Sequence, residues 1–207
     1  MLRDAVKIGT CALVLLTGAC HRTYVSAELT EDERARLYAA VLTEIGADPS
    51  KPSMVLDTLL PAEGFDDDIA SGLVQSLEVR QADVAALLRA QRRDGARVTT
   101  AMLPDSRWRT VSLRGIDSVR AVAQQERQAG QAVNGGDAFW RHWNASFPGS
   151  RGYVIVSPAG VSADGSEALV HVKTACGALC NEAEVRLLRR DAGGVWHTVR
   201  RVPVSIS

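Results

Sequence analysis

The chain has 207 residues, with 24 basic and 24 acidic side chains and no net charge at pH 7. That balance offers no electrostatic case for nucleic acid, whose recognition needs a basic surface. The length, with 46% hydrophobic residues, suits one ordinary domain with a core of its own.

Arg3 and Lys7 sit beside the amino terminus, and residues 8–19 carry no charge. As a helix that run would cover about 18 Å against about 30 Å of bilayer hydrocarbon. It is too short to span comfortably and has the length of the apolar region of a secretion signal. It ends in Leu16-Thr17-Gly18-Ala19-Cys20, which resembles the lipobox of bacterial lipoproteins. The resemblance implies cleavage before Cys20, diacylglycerol on the Cys20 sulfur and a further acyl chain on the new amino terminus. Each buried CH₂ contributes about 0.8 kcal/mol, and stable anchoring takes two chains. The expected layout is a signal peptide over 1–19, a lipidated tether over 20–29 and a single domain over 30–207. Residue 21 is His rather than Asp, which by the same resemblance favours the outer membrane, facing the periplasm. A plainly cleaved signal, cut at an A-x-A-like site, is the alternative.

Past the tether, Thr30 and Glu33 form a capping box, with Glu31 and Asp32 favoured by the helix dipole. Leu37, Tyr38, Val41, Leu42 and Ile45 then recur at helical spacing, and Gly46, Pro49 and Pro52 mark the end. The pattern predicts a strand over 53–59, a helix over 67–77, a second over 81–93 with Val84, Leu87 and Leu88 inward, and a strand over 107–114. Residues 117–133, rich in Gln and Ala, read as helical in part. After Asn134-Gly135-Gly136 a short helix is predicted over 137–147, ended by Pro148-Gly149. Four β-like runs follow, over 152–157, 167–174, 183–190 and 195–206. Asp164-Gly165 is a hairpin signal between the first two. Ala168, Val170 and Val172 share one face of a strand, as do Ala183, Val185 and Leu187. Short connections imply an antiparallel meander over 150–207. The expected fold is α+β: helices packed on a mainly antiparallel sheet, with a C-terminal four-stranded meander.

Cys176 and Cys180 flank the connection between the second and third of those runs. Export would place them in an oxidising compartment, where such a pair becomes a disulfide. A five-residue loop contributes about 2 kcal/mol in the chain-entropy model, and Gly177 eases the reversal. Three alternatives stand beside it, the plainest being two free thiols. The thiolates could join His171 and His197 on zinc, although the spacing matches no common zinc pattern. The pair could also be redox-active, although it is not Cys-x-x-Cys.

Phe139, Trp143 and Phe147 fall at i, i+4 and i+8, with Trp140 beside them. Such rings on a helix are core material when they face a sheet; the alternative is a ligand surface of Phe139, Trp140 and Trp143. Asp66, Asp67 and Asp68, with Glu63 nearby, lack the alternation of a calcium loop and read as a dipole-favoured helix start. Arg89, Arg92, Arg93 and Arg97 form a basic edge, solvated or turned to lipid headgroups. His142 has no partnered acid or nucleophile in the pattern. No Walker loop, Gly-x-Ser-x-Gly, Ser-x-x-Lys or His-Glu-x-x-His is present, so no catalytic residue, cofactor or metal is implied.

The C-terminal third carries a string of motifs. They are Phe147-Pro148-Gly149-Ser150-x-Gly152, Val156-Ser157-x-x-Gly160, Asp164-Gly165, Ala168-Leu169-Val170, Cys176-Gly177-x-Leu179-Cys180, Leu187-Leu188, Gly194-x-Trp196 and Ile206-Ser207. Together with the preceding Trp-containing helix and Leu37-Tyr38-Ala39-Ala40-Val41-Leu42, this string resembles an uncharacterised group of bacterial exported proteins. The chain departs from that group at Asn181, where Gly is common, and at Arg190, where an uncharged residue is common. The resemblance implies export and no activity. The expected function is that of an envelope lipoprotein, membrane-attached through Cys20, which binds or scaffolds another envelope component. The rivals are an envelope hydrolase or redox enzyme built on His142, His171, His197 and the cysteine pair, and a small-ligand carrier with a cavity between the aromatic helix and the sheet.

Overall fold

The computed structural model describes residues 28–45, 53–61, 67–92, 95–130, 135–177 and 180–204. The leader with Cys20, the tether through residue 27, Gly46, Pro49, Pro52, Glu63, Asp66, Arg93, Asn134, Leu179 and residues 205–207 lie outside them. Helix α1 (Glu31–Thr43) starts on the predicted capping box. Thr30 Oγ1 accepts the Glu33 amide at 3.2 Å, and the Glu33 carboxylate accepts the Thr30 amide at 3.0 Å. Two amides without intrahelical partners are thereby satisfied. Leu37, Tyr38, Val41 and Leu42 form its buried stripe, and Ile45, just past its end, is half-buried.

Strand β1 (Ser53–Leu56) is shorter than predicted, because the chain bends at Asp57 and Thr58 makes an isolated bridge to Arg97. Helices α2 (Asp67–Leu77) and α3 (Gln81–Gln91) follow. Strand β2 (Trp108–Val111) stops short of the predicted 114 because Ser112 caps the next helix. The Ser112 Oγ accepts the Gly115 amide at 3.0 Å, so α4 (Leu113–Gln128) begins earlier than its Gln-rich composition suggests. Helix α5 (Gly135–Ser146) is the aromatic helix. Strands β3 (Tyr153–Val156), β4 (Gly160–Val161), β5 (Glu167–Ala175), β6 (Asn181–Arg190) and β7 (Trp196–Pro203) complete the chain.

The strands form one mixed sheet in the order β2-β1-β3-β5-β6-β7, with β4 also on β5. Strands β3, β5, β6 and β7 are antiparallel in sequence order, the expected meander. Strand β1 is parallel to both β2 and β3, a feature absent from the sequence reading. Parallel neighbours need crossovers of a dozen or more residues; α2 and α3 supply one, α4 and α5 the other. The fold is α+β.

Strand alternation splits the interior between two faces of this sheet. Val55, Val154, Val156, Ala168, Val170, Val172 and Leu188 meet α1. On the other face Leu169, Val185 and Leu187 meet Leu73, Leu77, Val84 and Leu87 of α2 and α3. Beside them, Met54, Leu56 and Val111 meet Ile116, Val119 and Trp143 of α4 and α5. A sheet covered on both faces explains why β1 reads as an unbroken apolar run, Met54-Val55-Leu56, rather than an alternating one.

Two polar side chains and one close backbone approach fix the layers. The Tyr38 hydroxyl, fully buried, donates to the Ser157 carbonyl and accepts the Ala159 amide, both at 3.0 Å. It thus ties α1 to the break between β3 and β4, where Pro158 has no amide to pair. Burial holds the Tyr38 phenol well above its usual range. Arg186, 3% exposed, donates to the Val41 carbonyl at 2.9 Å and to Glu184 at 2.6 Å. The first bond serves one of the last carbonyls of α1, where a cation is favoured. Finally, β4 touches α3 so closely that a Cβ on Gly160 would stand 2.2 Å from the Leu87 Cα. Only glycine permits that approach.

Candidate functional site: a cleft at one end of the sheet

A cleft of about 530 Å³ opens where β1, β2 and β3 begin and β5 ends. Pairing brings its walls together. Ser53 of β1 stands opposite Trp108 of β2, and Met54 opposite Tyr153 of β3. Tyr153 stands opposite Ala175 of β5. Trp140 and Asn144 of α5, one turn apart, close the side. Cys176, Gly177 and Cys180 form part of the rim. The volume falls in the range of small-molecule sites, and the mix of aromatic walls with a few polar groups is typical of them.

The aromatic helix divides its rings between core and cleft. Trp143 is fully buried, its Nε1 donating to the Ser150 hydroxyl at 2.8 Å. Its ring lies 4.4 Å from Phe147 and 4.9 Å from Tyr153, centroid to centroid. Phe139 packs against the same cluster. Of the predicted ligand surface, then, Phe139 and Trp143 serve the interior and Trp140 alone lines the cleft. Trp140 stacks on Tyr153, with centroids 6.3 Å apart and 28° between planes. Burial pushes the Tyr153 phenol upward, against the opposing pull of Arg120.

Backbone geometry sets the loop that enters the cleft. Gly152 has φ 125°, and a Cβ there would stand 1.9 Å from the Ala175 carbonyl oxygen. A glycine at this position lets Ser150 and Arg151 pass close to the end of β5. Cys176 and Cys180 stand as a disulfide pair with 5.1 Å between Cα atoms. The Cys176 amide donates to the Cys180 carbonyl at 2.9 Å, which extends the β5–β6 ladder by one bond. Arg151 is the one charged side chain among the described lining residues. It is exposed and makes no ion pair among the described residues.

The histidines are dispersed. His142 lies on α5 with its Nε2 3.0 Å from Glu126, whose other oxygen takes Arg141 at 2.9 Å. His171 is buried on β5 beside Val185, and burial, aided by Lys173, lowers its pKa to about 4. His197 is exposed at the start of β7, 3.0 Å from Asp191. It pairs with Arg189, near the end of β6 opposite to the cystine. Neither His171 nor His197 can therefore join the cysteines on a metal, and no group of three metal-ligating side chains occurs among the described residues. Arg89, Arg92 and Arg97 are exposed, and no helix among the described residues is long and apolar enough to cross a membrane.

Sequence reasoning missed Trp108, Met54, Tyr153 and Arg151. The first three lie at or next to strand starts far apart in the chain, and only the parallel pairings of β1 bring them to one end of the sheet. The one legible signal was that Trp108 and Tyr153 are each the first apolar residue of a predicted strand, over 107–114 and 152–157. No family model, curated protein or solved structure matches the chain.

Proposed function

We propose that this chain is a binding module of the bacterial envelope, held to the membrane through acylated Cys20 and working without catalysis. The observation that carries the reading is the cleft between the aromatic helix and the end of the sheet. Its walls are fixed on strands and one helix, its rim is closed by a cystine suited to an oxidising compartment, and its lining contains no histidine or carboxylate among the described residues. Such a lining holds a ligand and lacks an acid–base pair. The lipobox string supports export and anchoring; resemblance to exported proteins supports the same compartment.

Between scaffold and small-ligand carrier, the size of the cleft, about 530 Å³, favours the carrier, because a scaffold needs no recess of this size. Mass analysis of the native full-length protein tests the anchor. The expected mature chain begins at Cys20 and carries acyl mass, which Cys20→Ser removes. An unacylated, cytosolic chain would overturn the anchored reading. Native mass spectrometry of freshly purified protein tests the carrier against the scaffold: a retained small molecule supports the former, a co-purifying protein the latter. A defined turnover by the same preparation would count against both.

A further inference from the structure

We infer that the cleft takes a flat, apolar molecule that carries an anionic group, a carboxylate or a phosphate ester. The inference rests on the binding-module reading and adds the chemistry of the ligand. Two features of the lining point to it. Trp140 and Tyr153 stack on the α5 side of the sheet with Met54 on the same face, and Trp108 lines the cleft from the other face. Rings in this arrangement favour a planar partner laid against their faces. The only charge among the described lining residues is the Arg151 guanidinium, and no lining carboxylate competes for it. Most other arginines near carboxylates are already engaged: Arg80, Arg107, Arg120, Arg141, Arg186 and Arg190 each hold an ion pair. Arg151 keeps its fork of donors free of such partners among the described residues, and that fork matches the two oxygens of a carboxylate or phosphate. Asn144 and Thr174 add neutral polar groups on the same lining. A cationic ligand finds no counter-charge there, and a purely apolar one leaves Arg151 without use.

Three probes of one shape separate the terms: naphthalene-2-carboxylate, 2-naphthyl phosphate and the neutral naphthalene-2-carboxamide. Each is titrated calorimetrically into the full chain in detergent, with the micelle blank subtracted. Both anions should bind at least about tenfold tighter than the carboxamide, the scale of one charge-assisted hydrogen bond. Arg151→Gln should bring the anions down to the carboxamide's affinity, and Arg151→Lys should retain part of the preference. Arg109→Gln, exposed on β2 and outside the cleft, should change nothing. A carboxylate preferred over the phosphate, or the reverse, supports the inference and names the head group. Equal affinity for all three probes, a preference that survives Arg151→Gln, or no binding of any probe overturns it. None of these failures touches the anchor, which is read from the mass of the amino terminus.

Discussion

His171 shows how one residue writes itself into the pH dependence of the whole fold. It lies on β5 between Leu169 and Lys173, and burial depresses its pKa from 6.5 to about 4. The unfolded chain takes up that proton near pH 6.5, while the folded chain refuses it until about pH 4. Its stabilising contribution is therefore complete above pH 6.5 and is lost as pH falls toward 4, by about 3 kcal/mol in all. The depressed carboxylates Glu33, Glu44, Glu78, Asp105, Asp164 and Asp191 act in a lower window, below their unfolded values. Urea unfolding followed by tryptophan fluorescence at a series of pH values should show the His171 slope, and His171→Gln should remove it between pH 6.5 and 4. A wild-type curve flat across that window would refute the assignment. Phe139, Trp140, Trp143, Cys176 and Cys180 were all legible in the sequence, but their division into core, rim and wall was not.

At the scale of elements, caps and turns decided the boundaries. Thr30 and Glu33 opened α1 where the sequence places it, whereas Ser112 ended β2 three residues before the predicted limit. Strand β4 was invisible in the sequence because it has two residues and owes its place to neighbours. Ser157 Oγ takes the His171 amide at 3.0 Å and Tyr38 takes the Ala159 amide, so the arm is broken and resumed. Strand β7 is a long edge, and it is blunted in the usual manner by charge and proline. Arg200 and Arg201 reach Glu78 and Glu44 at 2.7 Å and 2.8 Å, tying that edge to the helices. The contact between β4 and α3 yields a direct test. Gly160→Ala forces a methyl into the Leu87 backbone, so either helix or strand must move. The expected loss is about 1–3 kcal/mol in urea unfolding, the usual cost of overpacking. An unchanged midpoint would show that α3 yields without cost.

For the whole molecule, the central fact is a single sheet with helices on both faces. Nine paired positions from Glu167↔Arg189 to Ala175↔Asn181 hold β5 to β6, so the meander does not depend on its cystine. Replacing both Cys176 and Cys180 by Ser should lower unfolding free energy by about 2 kcal/mol while leaving the far-ultraviolet circular dichroism unchanged. The same variant should weaken whatever the cleft holds, because its rim is freed. Collapse of the sheet signal on this substitution would mean that the staple, rather than the ladder, maintains this end of the fold.

The sequence by itself determined the local matters: the starts of α1, α2 and α3, the hairpin at Asp164-Gly165, strand alternation, the cysteine pair and the α+β class. These depend on spacings of a few residues, within which capping, turn chemistry and side-chain periodicity act. The tertiary structure alone decided that β1 lies parallel between β2 and β3, that Arg186 serves the end of α1, and that Trp108, Trp140, Tyr153 and Arg151 share one cleft. Those juxtapositions join residues tens of positions apart through crossovers. No short-range periodicity encodes which strand a crossover returns to; the burial of both sheet faces does.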